Sequence, residues 1–377
     1  MLRFIHSADW HLGMPAYFLP EQQRAAFARD RLDAIAALAE QAAANACEFV
    51  VVAGDVFDSN DVSPAVIRQA LEALRGFQVP VFLLPGNHDR LNPGSVYAAT
   101  DFVRSCPDHV QVIREAQPLA LPGRAEVEIV GVPVRTRHPT EDPLLEAHAL
   151  PDPPPGVTRV LVGHGVIDEL DPASAAGVIV ASRLRESLAA GRFAYAALGD
   201  RHSVTELPGA GGRAWYAGTP LSTGYREQRP NHALMVTLTG EGCEVAQLQT
   251  GAWRFIDLVD RRLGGEEDVR ALAAELDAIE NKARAVVRLG LQGVLSIAAH
   301  AELAAMLERH GDLFASIRVW ERHSDLVVEP REDDLDRIAA SGYVRDALRE
   351  LRDRSQAGGE DAQDAREALN LLYRLAG

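Results

Sequence analysis

The sequence predicts an α/β protein with a smaller α+β unit and a helical C-terminal segment. Three observations carry this. Five apolar runs of strand length (Leu2–Ile5, Phe49–Ala53, Val79–Leu84, Val157–Val162 and Tyr195–Leu198) are separated by helical stretches, in the manner of βαβ units. Each run is followed at once by a short cluster of Asp, His or Asn. From about Trp253 the pattern changes to a compact strand–helix series, and beyond Glu329 it becomes densely charged and helical. At 377 residues the chain exceeds one ordinary core. The expected division is 1–250, 251–329 and 330–377.

The elements follow in order. The first strand runs into Asp9-Trp10-His11. A helix over Arg24–Ala46, rich in Ala, Leu and Arg, leads to the second strand and to Gly54-Asp55-Val56-Phe57-Asp58. Ser63 is placed to cap a helix that has Pro64 at its first position and ends near Arg75. The third strand runs into Gly86-Asn87-His88-Asp89. The segment Leu150-Pro151-Asp152-Pro153-Pro154-Pro155-Gly156 reads as a loop, because repeated prolines continue neither helix nor sheet. The fourth and fifth strands run into Gly163-His164-Gly165 and Gly199-Asp200-Arg201-His202. Ala210-Gly211-Gly212 with Trp215-Tyr216-Ala217 predicts a hairpin, and Ala233–Leu238 a further strand. The smaller unit alternates strands at Arg254–Val259, Ala285–Leu291 and Ala315–Trp320 with helices at Glu267–Ile279 and Ala298–Arg309. Helices are expected at Asp334–Ile338, Tyr343–Arg354 and Ala365–Leu375. Their apolar residues, among them Leu335, Ile338, Val344, Leu348 and Leu351, suit packing on their own chain or docking of a partner.

Composition narrows the classes. Hydrophobic residues make up 47%, which is ordinary for a globular protein. No apolar segment reaches bilayer-spanning length, and the N-terminus enters a strand with no signal-peptide layout. Cys47, Cys106 and Cys243 are too scattered for a disulfide framework or a zinc motif. A cytoplasmic protein without membrane attachment is expected. The net charge of −16 argues against a broadly basic nucleic-acid face. Binding depends on a local patch, however, and acidic metal ligands lose their negative charge once cations are held.

Each cluster alone has a bland reading. Gly-Asp is a common turn dipeptide, Asp55 could cap a helix, and His164 between glycines could be structural. Together they point elsewhere. Five such strands side by side would deliver every donor to one place beyond their carboxyl ends. Carboxylates and imidazoles gathered in a buried position repel or stay unsatisfied without a cation. Asp oxygen, His nitrogen and Asn oxygen suit a borderline-hard divalent ion, and the lack of thiolates argues against structural zinc. There are more donors than one ion needs, and Asp55 is the natural bridge between two.

The ordered series D-x-H, G-D-x-x-D, G-N-H-D, G-H and G-x-x-H resembles the calcineurin-like metallophosphoesterases, and within them the Mre11/SbcD family of nucleases. The resemblance covers roughly the first 240 residues. It implies a four-layer metallophosphoesterase sandwich of β-sheets flanked by helices, with a smaller α+β capping domain and C-terminal helices. It implies two divalent ions, usually Mn2+, with Mg2+ as the other candidate. Asp9, His11, Asp55 and His202 would hold the first ion, and Asp55, Asn87, His164 and Asp200 the second. His88 would be the catalytic histidine, oriented by Asp89. The last motif is usually G-H-x-H in that family, so Asp200 stands where a histidine ligand is expected. A carboxylate there can bind manganese but adds negative charge.

Two ions joined by a shared carboxylate suit phosphodiester hydrolysis. The resemblance implies DNA as substrate, cut as an exonuclease and endonuclease. It implies an SMC/Rad50/SbcC-like coiled-coil ATPase as partner, and a homodimer as a further assembly. Arg135, Arg137 and His138 form a small basic run that could contact phosphates, and Arg201 lies beside two of the ligands. The chain has no Gly-x-x-x-x-Gly-Lys segment, so ATP control would have to come from a partner. Two rivals stand beside this reading. One is a phosphodiesterase acting on a small nucleotide; the extra domain after Trp253 favours a macromolecule instead. The other is a non-catalytic DNA-binding scaffold; Asn87 and His88 argue against it, and Asp200 is its one supporting feature.

Overall fold

The computed structural model describes residues 1–171, 177–240, 242–329 and 342–356, together with Ala362, Asp364, Ala365 and Ala368. The chain divides into two compact units, Met1–Trp253 and Arg254–Gly377.

The first unit is built on two six-stranded sheets. One contains β1 (Leu2–Ser7), β2 (Phe49–Val52), β3 (Val81–Leu83), β4 (Val110–Val112), β11 (His232–Leu238) and β12 (Cys243–Gln249), in the order β12-β11-β1-β2-β3-β4. Here β1 to β4 are parallel, and β11 and β12 add antiparallel at the edge. The other contains β5 (Leu119–Leu121), β6 (Arg124–Gly131), β7 (Thr158–His164), β8 (Tyr195–Gly199), β9 (Thr205–Glu206) and β10 (Ala214–Tyr216), in the order β5-β6-β7-β8-β10-β9. The hairpin expected near Gly211 is the antiparallel pair β9–β10.

Side chains alternate across each strand, so each sheet has two apolar faces. Phe4, Phe49, Val51 and Phe82 of the first sheet meet Ile129, Val160, Val162 and Tyr195 of the second. Phe4 stacks on Phe49 with ring centroids 4.6 Å apart and meets Tyr195 of the other sheet edge-on at 5.6 Å. The opposite face of the first sheet, with Ile5, Val50, Val52 and Leu83, packs on helices α1 (Glu21–Ala44) and α2 (Pro64–Leu74). Ser63 caps α2 by accepting from the Val66 amide, and Ile67, Ala70, Leu71 and Leu74 form its buried stripe. Val130, Leu161, Ala196 and Leu198 of the second sheet pack on Leu184 and Leu188 of a helix over Ala181–Ala189. The result is helix, sheet, sheet, helix.

This layering corrects one expectation. The five cluster-bearing strands do not lie side by side in one sheet. β1, β2 and β3 are neighbours in the first sheet, while β7 and β8 are neighbours in the second. A parallel sheet must cover both faces. Each sheet here has one helical layer and uses the other sheet for its second face.

In the second unit β14 (Ala285–Leu295) pairs in parallel with β13 (Arg254–Leu263), β15 (Ser316–Val319) and β16 (Asp325–Val328). Helices Glu266–Asp277 and Ile297–Gly311 supply Leu272, Leu276, Leu303 and Met306 to a core with Leu258, Val287 and Leu289. A helix follows at Gly342–Gln356. Asp334–Ile338 and most of Ala365–Leu375 lie outside the described residues. Among the described residues no helix is long and apolar enough to cross a membrane.

Candidate functional site

The residues that follow β1, β2, β3, β7 and β8 meet at one point. Two of the glycines in their motifs are there for clearance. A Cβ on Gly54, whose φ is +93°, would lie 2.0 Å from His164 Nδ1, and one on Gly86 would lie 2.2 Å from Asp55 Oδ1. Several of the polar residues also take left-handed backbone: Asp9 at φ +53°, His11 at +45°, Asp55 at +53° and Asp200 at +94°. Such conformations are costly for non-glycine residues and collect at functional sites.

Asp9, His11, Asp55 and His164 are buried, while Asn87, His88, Asp200 and His202 are half-buried. Asp55 stands in the centre. Its Oδ2 lies 3.4 Å from His164 Nε2 and 3.9 Å from His11 Nε2, so a single oxygen faces both sides of the cluster. Its Oδ1 accepts the His88 amide at 2.9 Å. On one side, His11 Nε2 and His202 Nε2 are 3.1 Å apart, and Asp9 lies within 4.8 Å of both. On the other, Asp200 Oδ1 is 3.6 Å from His164 Nε2 and accepts Asn87 Nδ2 at 3.1 Å. The Asp200 amide donates to the Asp9 carboxylate at 3.1 Å, tying the two sides together.

The donors fit divalent cations. His164 Nδ1 is 2.8 Å from the Ala53 carbonyl, which leaves Nε2 aimed at the carboxylates; that atom and Asn87 Oδ1 are buried without a hydrogen-bond partner. Metal-binding histidines are commonly fixed in this way from the far side of the ring. The electrostatics agree. Burial pushes the Asp9 pKa up to about 7, and the neighbouring carboxylates Asp55 and Asp200 add to the shift against His202 and His164. Burial opposes charge on His164, yet Asp55, Asp200 and Asp9 outweigh it and raise its pKa well above the ordinary value. Burial also opposes the ionised form of Asp55, but His164, His11 and His88 keep it ionised. The pocket demands positive charge, which bound cations would supply.

A surrounding set of residues holds the donors, and sequence reasoning missed most of it. Glu227, its side chain buried on the loop before β11, has a carboxylate oxygen 3.2 Å from His202 Nδ1 and accepts Ser222 Oγ at 2.6 Å and the Thr223 amide. Burial works against the charge of Glu227, but these partners lower its pKa and keep it anionic. Asp58 Oδ1 is 3.3 Å from His11 Nδ1. Arg31 of α1, also buried, donates to the carbonyl of Trp10, the residue between Asp9 and His11, at 2.7 Å. Asp58 belonged to a visible motif. Glu227 lies outside every motif and Arg31 within a helix that carries none, and only folding reveals their role.

Asp89 is expected to orient His88, and each of the two side chains has its own contacts. The Asp89 carboxylate accepts from Gly86 N at 2.7 Å, Phe57 N at 3.0 Å and Tyr97 Oη at 2.6 Å. Two backbone amides and one tyrosine hydroxyl thus hold this carboxylate. His88 Nδ1 lies 2.8 Å from the carbonyl oxygen of Asp58. The three arginines differ in placement. Arg137, with His138, lines a cleft of about 500 Å³ that also contains Asn87, His164 and Asp200. Arg135 lines an adjoining cleft of about 250 Å³ that shares Val134, Pro139 and Thr140 with it. Arg201 is exposed, and its Nε donates to Thr205 Oγ1 at 3.0 Å.

Comparison with known proteins agrees with this geometry. Residues 2–190 match the calcineurin-like phosphoesterase family. The chain belongs to that family, whose members are divalent-metal hydrolases of phosphoester bonds. It is similar to the DNA double-strand break repair protein Mre11 of Archaeoglobus fulgidus, at 39% identity over 92 residues, covering 24% of this chain and 20% of that protein. It is similar to the Mre11 protein of Methanosarcina acetivorans at 23% identity over 359 residues, covering 92% of this chain and 55% of the other. One component of the SbcCD nuclease of Bacillus subtilis matches at 31% identity over 138 residues, covering 34% of this chain and 33% of that protein. These matches span little more than half the length of the relatives at most.

Proposed function

We propose that this chain is the DNA-cutting subunit of a repair complex, hydrolysing phosphodiester bonds as an exonuclease and endonuclease with two divalent ions. The observation that carries the reading is Asp55 Oδ2, one oxygen facing a histidine of each half of the cluster. Asp9, His11, Asp55 and His202 would hold one ion, and Asp55, Asn87, His164 and Asp200 the other. When bound, the ions would neutralise phosphate charge and make water a better nucleophile. His88 is fixed at its amide by Asp55 and at Nδ1 by the Asp58 carbonyl, which leaves Nε2 to hydrogen-bond a phosphate oxygen or protonate the leaving oxygen. Asp89 holds the loop that carries Asn87 and His88. Arg137 and His138, on the cleft beside Asp200, are placed for phosphate contact.

The DNA assignment draws on the names of the similar proteins. The ATPase partner of Rad50/SbcC type, the homodimer and a cytoplasmic, nucleoid-associated location belong to the same proposal. The cleft of about 500 Å³ favours a second reading, a small-nucleotide phosphodiesterase, because small-ligand pockets run from roughly 300 to 1,000 Å³. The test is hydrolysis of linear duplex DNA, single-stranded DNA and a generic phosphodiester with Mn2+, by the wild type and His88→Ala. DNA degradation lost in His88→Ala supports the nuclease. Cleavage of the generic ester alone would reject it in favour of the small-nucleotide reading.

A further inference from the structure

The two halves of the cluster are chemically unequal. On one side, two imidazole nitrogens, His11 Nε2 and His202 Nε2, lie 3.1 Å apart beside Asp9. Both rings have carboxylates behind them at Nδ1, Asp58 for His11 and Glu227 for His202, so both can present Nε2 as a donor. On the other side there is one nitrogen, His164 Nε2, with oxygens from Asp200 and Asn87. Asp55 Oδ2 faces both. The first pole therefore offers two nitrogens and two carboxylate groups. The second offers one nitrogen, two carboxylates and an amide oxygen. Resting on the binuclear reading above, we infer that the poles take different divalent ions: an oxygen-preferring cation of the Mg2+ class at the Asp200 pole, and a nitrogen-accepting transition ion of the Mn2+ class at the His11–His202 pole.

The physical basis is ligand preference. Mg2+ is held by carboxylate, carbonyl and water, whereas Mn2+, a first-row transition ion, takes those oxygens and also accepts imidazole nitrogen more readily than Mg2+ does. Mg2+ dehydrates reluctantly and is usually held by one or two carboxylates while keeping several waters. The Asp200 pole matches that need in accessibility as well as in donors. Asn87 and Asp200 are half-buried and line the 500 Å³ cleft, which leaves room for retained water. At the other pole Asp9 and His11 are buried, and protein donors must supply most of the coordination. Asp200 is the residue that sets the difference, since a histidine there would give both poles two nitrogens.

The test is metal competition on the full chain, read without turnover. Apo protein is titrated with Mn2+, bound ions are counted by electron paramagnetic resonance, and Mg2+ is then added. The expected result is two bound Mn2+, of which Mg2+ displaces one at concentrations that leave the second in place. In Asp200→His the Mg2+ concentration for the first displacement rises by about tenfold or more, a change at least as large as loss of a supporting group produces. Asp200→Asn, which keeps an oxygen but loses the charge, falls between the two and carries the comparison if thermal melting shows Asp200→His to be unfolded. Loss of both Mn2+ together, binding of a single Mn2+, or the same Mg2+ profile in wild type and the folded variant would overturn the inference. Selective displacement without DNA hydrolysis removes the nuclease reading alone. Uniform displacement with intact DNA hydrolysis removes this inference alone.

Discussion

Both units of the chain lay parallel strands beside helices, yet among the described residues only the first ends its strands in a site. In the second unit β14 runs into Ser296, whose Oγ accepts the Ala299 amide at 3.1 Å and caps the next helix. β13 carries a left-handed residue, Asp260 at φ +61°, at an irregularity in its pairing. So a polar residue after a strand, or a strained backbone, is not by itself a site. In the first unit the equivalent positions carry Asp9, Asp55, His164 and Asp200, aimed at one another and not at helix amides. Two buried polar atoms there, His164 Nε2 and Asn87 Oδ1, have no hydrogen-bond partner. Strand-end polarity is spent on capping in one unit and left available in the other. That difference separates scaffold from site.

The comparison can be broken or sharpened by substitution. Asp55→Ala removes the oxygen facing both poles. It should abolish two-ion Mn2+ binding and lower phosphodiester hydrolysis by more than about 100-fold, beyond the usual cost of losing a supporting group. Normal stoichiometry in calorimetry would show that Asp55 bridges nothing. His88→Ala should keep both ions and lower kcat by about 10²- to 10⁴-fold; a large loss of metal instead would make His88 a ligand. Leu289→Ala, in the core of the second unit, should cost about 2–5 kcal/mol in denaturant unfolding of that unit. It should leave Mn2+ binding intact, and a loss of metal would undo the separation of scaffold from site. Glu227→Gln should weaken binding at the His11–His202 pole by about 10- to 100-fold, whereas a purely structural Glu227 would shift melting and leave metal affinity unchanged.

The last effect is one of pH. His6 is fully buried beneath the site, between Tyr195 Oη and the Leu198 carbonyl, and burial lowers its pKa to about 3 against the backbone hydrogen bond. The unfolded chain takes up this proton near pH 6.5 and the folded chain does not. Its cost is therefore absent above pH 6.5 and grows as pH falls, by about 1.4 kcal/mol per unit, levelling off below pH 3. His6→Gln should flatten the stability profile between those limits. An unchanged slope would mean that His6 is protonated in the folded protein.

Much of this was legible because the signals are local. Val50, Val51 and Val52 read as a strand from their β-branched side chains, and Asp55 was visible as a carboxylate set directly after that run and Gly54. The edge strand β12 was not legible, since Cys243–Gln249 lacks an apolar run and depends on pairing with β11. Nor was β16, four residues placed by the far end of β14. The partner of the His88 ring was not legible for a similar reason. Adjacency in sequence suggested Asp89, but the loop turns that carboxylate inward to Gly86, Phe57 and Tyr97 and brings the Asp58 carbonyl to the ring.

The sequence by itself determined the donor types, their order and their place at strand ends, because each depends only on a residue and the few before it. Tertiary structure decided how the strands divide between two sheets, which oxygen of Asp55 faces both poles, and that Glu227 and Arg31 support the donors. Those outcomes depend on chain segments as distant as β1 and β11 packing together, and no local pattern encodes the distance between them.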